Sequence, residues 1–114
     1  MPAGTTNPMG RTDKVMQLLG LARRAGAVAT GTEAVRQAVR GGQARLVLLA
    51  GDASPVQLEK VEKALSKRAT PRATLGDRAS LGAAVGLAPL SALAVTSASL
   101  AEQVAAELGE LVEG

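Results

Sequence analysis

Apolar residues along this chain recur at three- and four-residue spacing in some stretches and in short unbroken runs in others, and the alternation predicts an α/β class. From Thr12 the spacing is helical. Thr12 is placed to cap, Asp13 favours the first turn, and Val15, Met16, Leu18, Leu19 and Ala22 form one apolar side that Arg23, Arg24 and Gly26 close. Val28 to Thr30 reads as a short strand leading into a helix that begins near Thr32. In that helix Ala34, Val35, Ala38 and Val39 take the apolar side, while Glu33, Arg36, Gln37 and Arg40 take the wetter one, and Gly41 and Gly42 end it. Leu46 to Ala50 (LVLLA) is too short and too uniformly apolar for an amphipathic helix, so it predicts a central strand buried on both faces. A helix N-terminus beside such a strand is a natural phosphate seat.

Asp52 to Pro55 then reads as a loop, with Ser54 as N-cap, Pro55 at the first helical position and Gln57 in capping-box register. The helix is expected to run to about Arg68, with Val56, Leu58, Val61, Ala64 and Leu65 inward. Arg72 to Leu75 fits an edge strand, and Asp77 to Val85 a short helix ended by Gly86. The 23 residues Ala79 to Ala101 carry no charge, a length that raises a membrane span. Gly82, Gly86, Pro89 and five Ser or Thr residues divide the stretch and make it too weakly apolar, so no membrane partner is expected. Its pieces are a helix end, a loop at Leu87 to Ser91, a strand near Ala92 to Thr96, and a last helix. Ser99 and Glu102 offer that helix a capping box, and Leu100, Val104, Leu108 and Leu111 an apolar side. Together the elements predict helices on both faces of a small sheet of about four strands. Residues 1–10, rich in Pro, Gly, Thr and Asn, are expected to be a disordered lead-in without signal-peptide character, and residues 11–114 one domain.

Composition removes most catalytic chemistries. Without His or Cys the chain lacks the usual neutral-pH base, the thiolate nucleophile and the soft metal ligands, so no metal, cofactor or redox role is expected. Asp52 and Asp77 are the best-placed carboxylates, yet no partner, metal shell or nucleophile accompanies them in sequence, and the chain is read as not an enzyme. Without Phe, Tyr or Trp it offers no stacking platform for splayed single-stranded bases. The formal net charge of +3 hides an asymmetry, because residues 1–50 hold seven basic against two acidic side chains. If the early helices pack together, the field is one-sided and suits an anionic polymer held by arginine, backbone amides and shape.

The run KVMQLLGLARRAGAVATGTEAVRQAVRGGQARLVLLAGDAS, continued by LGAAVGLAPLSALAVTSASLA, resembles the bacterial YlxQ-type branch of the kink-turn RNA-binding ribosomal protein superfamily. The superfamily includes the large-subunit ribosomal proteins seven-Ae and thirty-e, and the likeness covers roughly Lys14 to Leu108. It implies a three-layer α/β/α sandwich around a mixed sheet, and recognition of a sharply bent RNA internal loop. Kink-turn binders carry a Gly-Thr or Gly-Ser step into the RNA-facing helix, followed by Asn, Glu and, three residues later, Lys. Gly31 and Thr32 match the step here, whereas Glu33 stands where Asn is usual, Ala34 where Glu is usual, and Gln37 where Lys is usual. Losing one phosphate-facing cation lowers the salt slope by roughly 0.7 to 0.9, and Glu33 adds repulsion.

On this resemblance Gly31 and Thr32 let an RNA backbone approach free amides at the helix start, although Thr32 also reads as a plain cap. Arg36 and Arg40, one turn apart, are placed to straddle a phosphate strand or to stay solvated, and Gln37 to meet a base edge. The second family contact, an apolar loop over flipped-out bases, falls on Leu87, Ala88 and Pro89, which an ordinary turn also explains. The expected function is non-enzymatic binding of structured, kink-turn-like RNA, first of all ribosomal, in translation or ribosome assembly in the cytoplasm. The alternative is a protein-protein adaptor in ribosome assembly, docking ribosomal or assembly proteins without kink-specific recognition.

Overall fold

A computed structural model of the chain describes residues 8–114, with side chains described from residue 12. Among the described residues five α-helices and four strands alternate: α1 Pro8–Arg24, β1 Val28–Thr30, α2 Thr32–Arg40, β2 Leu46–Leu49, α3 Pro55–Leu65, β3 Arg72–Thr74, α4 Arg78–Ala84, β4 Ala92–Val95 and α5 Ala98–Leu108. A 3-10 turn, Gly109–Leu111, follows α5. The sheet order is β1-β4-β2-β3, with β4 antiparallel to β1 and β2, and β3 parallel to β2. It is the small mixed sheet that the resemblance implied.

Residue alternation along the strands builds two cores. Leu46, Leu48, Leu93 and Val95 point to one face, where Val15 and Leu19 of α1, Leu81 of α4 and Val104 and Leu108 of α5 cover them. Val47, Leu49, Ala92 and Ala94 point to the other, against Val35 and Val39 of α2 and Val61 and Leu65 of α3. Because β2 and β4 are buried at every position, they lack the polar alternation of a half-exposed strand. Three layers result.

Local chemistry explains most element ends. Gly26 and Gly42, at φ +71° and +73°, turn the chain out of α1 and α2. Ser54 Oγ accepts from the Gln57 amide at 3.3 Å and opens α3 as expected. Asp77 opens α4 in a reciprocal capping box with Ser80.

Four expectations need correction. α1 begins at Pro8, not at Thr12, since a proline at the first helical position loses no bond there; residues 1–7 of the expected lead-in lie outside the described residues. α3 stops at Leu65, and Val56 in its first turn is 59 % exposed, not inward. α5 is capped by Ser97, whose hydroxyl accepts from the Leu100 amide, so Ser99 falls inside the first turn. Gly109, at φ +57°, then redirects the chain, and Leu111 leaves the apolar side with 54 % exposure.

Candidate functional site

Strand direction decides which loops meet. Thr30, Leu49 and Thr74 end β1, β2 and β3 at one edge of the sheet, where antiparallel β4 begins at Ala92. The starts of α2, α3 and α4 therefore gather at that edge, together with the loop that enters β4. Backbone bonds tie them: Gly31 N donates to Ala92 O at 3.0 Å, Ala50 N to Ser91 O at 2.9 Å, and Gly51 N to Gly76 O at 2.8 Å. The first of these fastens the α2 tip to the start of β4, which the loop of Leu87, Ala88 and Pro89 enters, with α2 on one face of the sheet and α4 on the other.

Gly31 is the N-cap of α2, with φ +93° and ψ 159°, a conformation open essentially to glycine alone. Its carbonyl accepts the first helical bond from Val35 N, and no side chain caps the helix, so Thr32 is the first helical residue and not its cap. α3, α4 and α5 each receive a Ser or Asp cap; α2 keeps the amides of Thr32, Glu33 and Ala34 pointing outward without one. A Cβ built on Gly31 meets no atom within 4 Å. The tip is open.

The charges around it nearly cancel. Glu33 is bound by Arg36, whose Nη1 donates to Glu33 Oε2 at 2.5 Å, so the carboxylate carries its own counterion. Asp52 Oδ1 accepts from the Arg78 amide at 2.8 Å, with the Arg78 guanidinium 3.5 Å from its other oxygen. Asp77 Oδ1 accepts from Ser80 N, and this backbone bond, aided by the Ser80 hydroxyl, holds its carboxyl below the ordinary 3.8. Both aspartates that looked fit for acid-base work thus cap α4.

The early helices do not pack together, so the one-sided field expected from the basic first half does not form. α1 and α2 cover opposite faces of the sheet. Arg23 is spent on the Val85 carbonyl at 2.7 Å. Arg40 lies at the far end of α2, its carbonyl holding Arg68, and does not join the tip. Gln37 is exposed and lines an open depression beside β1 with Ala34 and Ala38. Of the nine residues selected from sequence, Gly31, Thr32, Glu33 and Arg36 lie in the first turns of α2 at the edge where the loop of Leu87, Ala88 and Pro89 enters β4; Arg40 and Gln37 lie further along α2, the latter on a depression it shares with Gly42, Gln43 and Arg45.

The course of the Leu87 to Leu90 loop depends on Gly82, read in sequence only as a breaker of the uncharged stretch. A Cβ on Gly82 would lie 2.2 Å from Ala88 O, so only glycine lets the loop lie along α4. Leu87 N then donates to Gly82 O and Leu90 N to Arg78 O, a strap that presents Leu87, Ala88 and Pro89 to solvent. A glycine inside a helical pattern was the available signal.

The chain has counterparts among known proteins in both sequence and fold. Residues 13–105 match the family model described as Ribosomal protein L7Ae/L30e/S12e/Gadd45 family. The chain belongs to that family. "RNA-binding protein YlxQ" of Bacillus subtilis (strain 168) is 36% identical over 87 residues, covering 76% of this chain and 87% of the relative. A solved structure from Bacillus halodurans C, of a protein with unknown function, superposes with TM-score 0.79 at 35% identity, covering 85% of this chain and 98% of that one. The Giardia lamblia 15.5kD RNA binding protein, at 22% identity, TM-score 0.74 and coverage of 90% and 88%, shares the fold. Among the described residues no helix is long and apolar enough to cross a membrane, and no group of three or more His, Cys, Asp or Glu side chains converges on a metal-sized site.

Proposed function

We propose that this protein is a non-enzymatic RNA-binding protein that holds a sharply bent, kink-turn-like RNA, ribosomal RNA first of all, in translation or ribosome assembly in the cytoplasm. The observation that carries the reading is the open, uncapped α2 tip fastened through Gly31 to the start of β4, the strand entered by a loop that exposes Leu87, Ala88 and Pro89. Free amides at a helix start favour a phosphate, and the glycine lets a backbone approach them. Leu87, 38 % exposed, and Pro89 offer apolar cover to unstacked bases, a role that needs no aromatic ring. The family membership and the likeness to the RNA-binding protein YlxQ of Bacillus subtilis support an RNA ligand.

Gln37 meets a base edge in this reading, and Arg36 exchanges Glu33 for a phosphate. Attraction at the tip comes from amide dipoles and one arginine, so binding there depends weakly on salt. Titrating the protein with a bent internal-loop RNA tests this, with the Leu87→Ser/Pro89→Ser double variant as the control. The variant should bind at least about tenfold more weakly, a loss of roughly 1.4 kcal/mol. An unchanged affinity would remove the loop from the site. The protein-protein adaptor reading predicts instead no preference among RNAs and capture of a ribosomal protein by the same loop.

A further inference from the structure

Six of the thirteen Lys and Arg residues, Arg40, Arg45, Lys63, Lys67, Arg68 and Arg72, lie toward the end of the sheet opposite the α2 tip. Strand direction puts Arg45 and Arg72 there, before β2 and at the start of β3, and helix direction brings the last turns of α2 and α3 beside them. Contacts fix the group: Arg68 Nη2 donates to Arg40 O at 2.6 Å, and Arg72 Nη2 donates to Thr70 O at 2.9 Å and Arg68 O at 3.3 Å. Those bonds explain one edge of Arg68 and of Arg72, since carbonyls at helix ends attract cations. They leave Arg40, Lys63 and Lys67 unexplained. All three are exposed, and among the described residues their side chains form no hydrogen bond or ion pair. Glu62, Glu102 and Glu113, the carboxylates on the same stretches of chain, pair with none of the cations.

We propose that this end is a second RNA contact, a sequence-insensitive seat for the phosphodiester backbone of a helical stem that leaves the bend held at the α2 tip. The proposal rests on the RNA-binding reading given above. α2 has nine residues, so tip and basic end lie about 13 to 14 Å apart, well under one duplex turn of roughly 34 Å. One stem running along the α2 and α3 side reaches both. Arginine forks and lysine point charges without aromatic neighbours grip phosphates and read no bases. The tip then chooses the bend, and the basic end supplies most of the salt-dependent attraction.

The test uses the full chain and its Arg40→Gln/Lys63→Gln/Lys67→Gln variant, which spares the Arg68 and Arg72 bonds. Affinity is measured across a salt series for a kink-turn RNA with a long flanking stem, the same bend with that stem cut back, and a straight duplex. The intact protein should show a salt slope steeper by about 2 on the long-stem RNA than on the short one, and the variant should lose that difference. Equal slopes and affinities of the two proteins on the long-stem RNA would overturn the proposal. If the triple variant fails to fold, Lys67→Gln alone should lower the long-stem slope by about 0.7 to 0.9, and an unchanged slope overturns the proposal equally. Failure of the tip reading looks different: the intact protein would bind bend and duplex alike, while the variant still lost slope on the duplex if the basic end is real.

Discussion

Gly31 joins the backbone and the chemistry of the site in one residue. Its φ of +93° with extended ψ is costly for any other side chain, so Gly31→Ala should destabilise the protein by about 1 to 3 kcal/mol in urea unfolding. A native-like midpoint would show that the turn relaxes, and the argument for an enforced open tip would fall. Glu33, Ala34 and Gln37 are the residues where the chain departs from the kink-turn pattern. Restoring the cation with Gln37→Lys should raise the salt slope of RNA binding by about 0.7 to 0.9, and no change would place Gln37 off the RNA path. Asp77 acts on folding, not on binding. Its carboxyl titrates lower in the folded chain than unfolded, so its contribution is complete above the ordinary 3.8 and is lost as pH falls through the lowered folded value. The stability gap between the intact protein and Asp77→Ala should therefore be flat near neutrality and close under acid, as acid-unfolding curves would show. A gap that widens in acid would contradict the cap.

Elements were legible in sequence where short-range rules act alone. LVLL announced a strand buried on both faces because four successive apolar residues cannot share one side of a helix, and Ser54-Pro55 announced α3 because both residues are suited to a helix start. Where tertiary placement decides, the pattern was silent. Val56 has helical spacing but stays exposed in the first turn of α3, and Ser97 outcompetes Ser99 because β4 ends close before it. The strap of the Leu87 to Leu90 loop is also tertiary, since Gly82 meets Ala88 only when the chain folds back along α4. Gly82→Ala should push the loop off α4, cost about 1 to 3 kcal/mol, and speed hydrogen exchange at the Leu87 and Leu90 amides. Unaltered exchange at those two amides would mean that the loop is held by something else.

At the scale of the whole molecule, the two-sided core and the distribution of charge set what the protein can hold. α1 and α2 cover opposite faces, so the basic first half of the sequence does not become a basic face: Arg23 binds the Val85 carbonyl after α4, Arg36 pairs with Glu33 at the tip, and Arg40 lies at the far end of α2. No summation of charge along the chain contains that division, because it follows from which sheet face each helix covers. The proposed reading sets an apolar, nearly neutral edge against the bent part of an RNA, while a separate group of cations lies about one helix length away. The measurement that tests this account most directly is a calorimetric titration of the protein with a kink-turn RNA and with a straight duplex of equal length at one salt concentration. The kink-turn should bind at least about tenfold more tightly; equal weak affinity for the two RNAs would contradict recognition of the bend.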